Sequence, residues 1–102
     1  MSLEDLEDSI ERRVVLDETL GALANPVRRF LLELLIDGEA TAGELAASAA
    51  ANFGISAKRG SQHLQVLAQA GLVDVLPAGT WRSYRLKPGG GDEVIEWLAR
   101  LD

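Results

Sequence analysis

Three helix-start signals set about fifteen residues apart constrain this chain most: Asn25-Pro26, Thr41 with Glu44, and Ser56. Asn accepts backbone N–H bonds at a helix entrance, and Pro is tolerated at the first helical position. Thr41-Ala42-Gly43-Glu44 fits a capping box, in which hydroxyl and carboxylate close the first turn together. Stops stand between the starts, at Asp37-Gly38 and at Asn52 to Gly54, and Gly71 follows the last helix. The segment therefore reads as short helices joined by tight turns. The helix opened by Asn25 carries Val27, Phe30, Leu31, Leu34 and Leu35 on one face. The next carries Leu45, Ala46 and Ala49 in an alanine-rich stretch of high helix propensity. The one opened by Ser56 runs to Gln69 or Ala70.

The flanks complete the pattern. Residues Leu3 to about Leu23 read as a helix with an acidic first turn. Leu16, Leu20 and Leu23 form one apolar stripe; Leu3, Leu6 and Ile10 form an earlier one. The stripe drifts near Arg12-Arg13, which allows a break or kink there. After Gly71, Leu72 to Leu76 reads as a strand, Pro77 to Thr80 as a turn and Trp81 to Leu86 as a second strand. Pro88 and three glycines lead into a last amphipathic helix, Asp92 to Leu101, with Val94, Ile95, Leu98 and Leu101 apolar. The expected fold is mainly α with a small β-hairpin: a winged helix-turn-helix of about five helices plus a two-stranded wing. Its 102 residues, 47% apolar and 25% charged, suit one globular domain spanning 1–102.

Composition removes several functions. With no cysteine there is no disulfide, thiol redox chemistry or thiolate metal site, and one histidine cannot build an imidazole-rich one. The chain offers no phosphate-binding glycine loop, so an enzyme is not expected. No apolar run approaches the ~20 residues that cross a bilayer. The acidic start (Glu4, Asp5, Glu7, Asp8) is unlike a signal peptide, and a cytoplasmic protein is expected.

The net charge of −6 argues against an anionic partner, but its distribution does not. Residues 52–88 carry Lys58, Arg59, Arg82, Arg85 and Lys87 against Asp74 alone, a local charge of +4. A local basic zone, not the total, governs attraction to nucleic acid. On a helical wheel of the fourth helix, Gly60, Leu64, Leu67 and Gly71 face the core. Lys58, Gln62, Gln65 and Gln69 point the other way, flanked by Arg59 and Ser61. Gln can pair with adenine, and Arg or Lys with guanine, in the major groove. Asp and Glu are absent from Asn52 to Val73, whereas solvated helices usually mix signs. His63 lies toward the core flank, where a structural role outweighs a DNA contact. In the hairpin the expected solution is a twisted ribbon whose aromatics, Trp81 and Tyr84, pack on the helices while Arg82 and Arg85 reach phosphate.

Three stretches resemble one family. Leu20 to Leu35 (LGALANPVRRFLLELL), Gly54 to Val75 (GISAKRGSQHLQVLAQAGLVDV) and Gly79 to Pro88 (GTWRSYRLKP) are similar, in order and spacing, to the ArsR-type (ArsR/SmtB-like) winged helix-turn-helix regulators. The resemblance covers roughly residues 18–101. It implies a homodimeric repressor that binds a pseudo-palindromic operator in double-stranded DNA. The first helix (about 3–24) and the last (about 92–101) would form the dimer interface, through Leu16, Leu20, Leu23, Ile95, Leu98 and Leu101. The DNA contacts it implies are Lys58, Arg59, Ser61, Gln62, His63 and Gln65 in the recognition helix, with Arg82 and Arg85 in the wing; it strengthens His63 as a DNA candidate.

Two departures stand out: the third helix is about four residues longer than the usual pattern, and Gly60 replaces a β-branched residue. The family's metal-sensing motifs, a cysteine pair near the third helix or Asp and His on the last, are absent, so no metal or other cofactor is expected. An unknown small-molecule or protein effector would act at the dimer interface. The competing reading is a winged-helix protein-interaction module that never binds DNA, which the acidic total charge favours.

Overall fold

Four of the five helices begin at a side-chain cap. The computed structural model describes residues 2–102. Helix α1 (Leu3–Leu23) opens on a capping box between Ser2 and Asp5. Helix α2 (Pro26–Leu34) opens on Asn25, whose Oδ1 accepts from the Val27 and Arg28 amides at 2.9 and 3.3 Å. The Thr41–Glu44 box forms as expected at the start of α3 (Ala42–Phe53), and Ser56 Oγ accepts from the Arg59 amide to start α4 (Ala57–Gln69). The stops hold as well. Gly54 ends α3 in the left-handed conformation at φ 65°. Gly71, at φ 75°, ends α4 in a Schellman turn, with Gly71 N–H on Ala68 O and Leu72 N–H on Leu67 O.

The strands are β1 (Ala40–Thr41), β2 (Val73–Ala78) and β3 (Trp81–Leu86), in the order β1-β3-β2, all antiparallel. The sheet thus has one strand more than the expected hairpin. At two residues β1 is too short to show any alternation, and its pairing of Ala40 with Tyr84 and Thr41 with Ser83 comes only from the tertiary fold. The hairpin turn is also tighter than expected, Gly79-Thr80 rather than Pro77 to Thr80, because β2 continues through Pro77, opposite Arg82. Strand β2 lies at the sheet edge, where a residue without an N–H costs no ladder bond.

Helices α2, α3 and α4 pack around fully buried Leu31, Leu45, Leu64 and Leu67, with Tyr84 of β3 closing the sheet side. Gly60 is explained by this packing. A Cβ there would stand 3.1 Å from Ala46 Cα and 3.2 Å from Ala46 O, so a larger residue would force α3 and α4 apart. At the far end of α3 the Phe53 ring meets Phe30 of α2 edge-on at 5.2 Å, which fastens the end of α3 to α2.

Helix α1 runs unbroken through Arg12-Arg13. The drifting stripe is a change of face, not a kink. At about 100° per residue, Leu3, Leu6, Ile10 and Val14 share one side, roughly opposite Thr19 and Ala22. Thr19 and Ala22 are buried against the domain, and the Thr19 hydroxyl is satisfied by Val15 O at 2.9 Å. The earlier four remain exposed, because the N-terminal half of α1 overhangs the core. The overhang accounts for a radius of gyration of 15.4 Å, against about 13 Å for a compact 100-residue domain. The last helix, α5 (Asp92–Ala99), lies beside α1 and buries no residue fully. Among the described residues no helix is long and apolar enough to cross a membrane.

Candidate nucleic-acid interface

Helices α3 and α4, joined through Gly54, are the helix-turn-helix pair, and α4 is the one with a free polar face. Its inward residues Gly60, Leu64 and Leu67 are buried, as the wheel requires. Lys58, Arg59, Gln62, Gln65 and Gln69 are exposed, and Ser61 is half-buried. A row of amide and cationic groups on a helix about 20 Å long, held by a glycine-tight contact beneath it, can enter a major groove and offer donors and acceptors to base edges.

The wing is only partly as expected. Tyr84 is 5% exposed and packs inward, whereas Trp81 is 68% exposed. Trp81 sits beside the two-residue turn, at the end of the ribbon farthest from the helical layer, so the expected packing of both aromatics fails there. Arg82 is exposed. Arg85 is also exposed, but its Nε lies 3.5 Å from Asp74 Oδ2, across the β2–β3 pair. A pair this open to water contributes little and exchanges readily for another anion.

His63 is half-buried on the flank of α4, and its setting comes from a residue 35 positions earlier. Arg28 Nη1 lies 3.2 Å from His63 Nδ1. A guanidinium has donors only, so Nδ1 is the acceptor and the ring proton sits on Nε2. Burial, then the nearby charges of Arg28 and Arg59, hold the imidazole below its ordinary value of 6.5. The same guanidinium donates through Nε to Ala22 O at 2.7 Å and through Nη2 to Gly21 O at 3.0 Å. Arg29 donates to Leu23 O at 2.8 Å. The last turn of α1 has no basic residue of its own, and these two arginines of α2 cap it instead. Arg28 and Arg29 sit in the LANPVRR stretch, but the sequence could not distinguish interhelix bonding from surface charge.

The residues expected at a dimer interface are distributed unevenly. Leu23 packs against the core, Leu16 is half-buried beside α5, and Leu20 is 37% exposed. Ile95, Leu98 and Leu101 stand largely in solvent, at 63%, 52% and 64%. Between α1 and α5 runs a groove of 560 Å³ lined by Arg12, Arg13, Arg100 and Trp97 together with acidic side chains.

Comparison with known proteins agrees with this arrangement. A helix-turn-helix domain family matches residues 23–75. The chain is 43% identical over 74 residues to the HTH-type transcriptional regulator Rv2034 of Mycobacterium tuberculosis, covering 72% of this chain and 65% of that protein. It is 31% identical to the transcriptional repressor SdpR of Bacillus subtilis (81% and 88% covered) and 34% identical to the transcriptional activator HlyU of Vibrio cholerae (99% and 87% covered). Among solved structures, the ArsR family transcriptional regulator RHA00566 superposes with a TM-score of 0.74 at 26% identity, over 87% of this chain and 88% of that one.

Proposed function

Since the chain belongs to the ArsR-type winged helix-turn-helix transcriptional regulators, we propose that it acts as a homodimeric repressor that occupies a pseudo-palindromic operator. The observation that carries the reading is the outward face of α4, where Lys58, Gln62 and Gln65 are exposed in a stretch without a single acidic residue. The proposed contacts in α4 are Lys58, Arg59, Ser61, Gln62 and Gln65. His63, with Nδ1 engaged by Arg28, stands at the edge of this face rather than among the base-reading residues. Arg82 and Arg85 grip phosphate from the wing, which sets the register without reading bases.

The apolar faces left in water support the dimer. Ile95 and Leu98 on α5, Leu101 just beyond its end and Leu20 on α1 form the proposed interface, and Leu16 borders it. Isolated exposed leucines need no explanation, but a helix with no buried residue, two solvated aliphatic ones and a third just past its end does. Two-fold pairing would set the two α4 helices about 34–36 Å apart, one turn of DNA. A small-molecule or protein effector would act where α1 meets α5, by changing the angle between subunits. The three guanidinium groups in that groove offer it donors.

The test is a titration of the purified protein against its own upstream DNA and against scrambled DNA. Wild type is compared with the Lys58→Ala/Gln62→Ala double variant, and a reporter gene is fused to the same upstream region. The reading expects preference for the upstream DNA, a loss of about tenfold or more in the variant, and a reporter that rises when the gene is deleted. Weak binding equal for both DNAs and both proteins would overturn the assignment of α4, and a reporter that falls on deletion would make the protein an activator. The net charge of −6 favours the second reading, a module that binds another protein, and that reading expects no DNA binding at all.

A further inference from the structure

We propose that Arg28 and His63 form a positioning link that fixes the recognition helix against the C-terminus of α1, with His63 serving orientation rather than base reading. The inference deepens the DNA-binding reading and rests on it for its consequence in affinity.

Arg28 uses three of its donor directions at once: Nε to Ala22 O, Nη2 to Gly21 O and Nη1 to His63 Nδ1. The first two are the terminal carbonyls of α1; the third is a side chain of α4. One planar group on α2 thereby ties together the helix proposed to touch the second subunit and the helix proposed to touch DNA. Lysine, with one nitrogen, cannot replace it. Gly60 brings α3 and α4 into close apolar contact but offers no polar group across it, so the directional bond to the flank of α4 comes from Arg28. That bond adds a fixed orientation to the apolar packing. A shift of the last turn of α1, from subunit rotation, would pass to α4 through the same atoms.

The charged groups facing His63 are Arg28 from α2 and Arg59 from α4 itself, both cations. Protonation of the ring would remove the acceptor at Nδ1 and set a third positive charge beside these two. The link therefore exists only with the neutral imidazole, in its Nε2–H form.

The single histidine makes the test clean. In the ¹⁵N-labelled full chain, imidazole NMR should show one Nε2–H tautomer with a hydrogen-bonded Nδ1. Arg28→Lys, which keeps the charge but not the fork, should replace that signature with a tautomer mixture. An Nδ1–H tautomer in wild type, or a signal indifferent to Arg28→Lys, would overturn the link without reference to DNA. Two further variants separate positioning from reading. The amide oxygen of His63→Asn stands near the place of Nδ1, whereas the amide of His63→Gln reaches the place of Nε2. A positioning role expects His63→Asn to keep upstream-DNA affinity within about twofold and His63→Gln to lose about 2- to 12-fold, the range of one hydrogen bond. The reverse order makes His63 a base reader and overturns the proposal. If wild type does not bind the upstream DNA, the consequence for affinity falls with the DNA-binding reading, while the NMR result still decides the link.

Discussion

Helices α4 and α5 are both short and amphipathic, yet they satisfy their apolar faces in opposite ways. In α4, Gly60, Leu64 and Leu67 are buried within the chain, and the polar face is left over for a partner. In α5 nothing is fully buried; Ile95 and Leu98, with Leu101 just past its end, face solvent, while Glu93 and Trp97 turn toward α1. The difference shows that amphipathicity identifies a face and does not say what covers it. In α4 the answer lies in the same molecule, whereas the proposed answer for α5 is a second copy. On the proposed reading, two surfaces of one small domain divide the work: a polar one for DNA and an apolar one for self-association.

The comparison breaks most sharply in the core. Leu64→Ala empties a fully buried position and should cost about 2–5 kcal/mol in denaturant unfolding. Leu98→Ala, measured in dilute protein where the chain is monomeric, should change stability by no more than about 0.5 kcal/mol. Equal costs would mean that α5 is buried after all. Next in size is the effect on assembly. Ile95→Asp with Leu98→Asp places two carboxylates in the proposed interface and should raise the dimer dissociation constant at least tenfold, about 1.4 kcal/mol, by sedimentation equilibrium. An unchanged constant would move the interface elsewhere.

The smallest expected effect is that of pH. Because the folded chain holds His63 below 6.5, the unfolded chain binds the proton more readily. The stability this contributes is complete above 6.5 and declines as pH falls through 6.5 toward the folded value. The melting temperature of wild type should therefore drop over that window, and that of His63→Asn should drop less. Parallel curves would remove the imidazole from the account.

Much of this architecture was legible in short-range chemistry. Asn25-Pro26, the Thr41–Glu44 box, Ser56 and Gly71 mark helix boundaries through bonds spanning at most five residues, and each forms as read. The wheel of α4 also succeeded, since a helix packed on one side leaves its opposite face in water. What escaped the sequence depends on distant partners. Strand β1 exists only because β3 lies alongside it. The tie between Arg28 and His63 joins residues 35 apart, and no local pattern announces it. Trp81 carries the same apolar signal as Tyr84, and only the length of the ribbon decides that one is buried and the other is not. Helix α1 showed its change of face as a drift in periodicity, which the sequence could express but not interpret.

The central claim is that a chain of net charge −6 binds DNA through one basic zone. The most direct measurement is the affinity of the wild-type protein for its upstream DNA across a series of salt concentrations. The zone holds five basic residues per chain, so a dimer can neutralise up to about ten phosphates, and the log–log plot should fall linearly with a slope as steep as roughly −9. A slope near zero, or no binding at the lowest salt, would contradict the account and leave α4 as a surface for another protein.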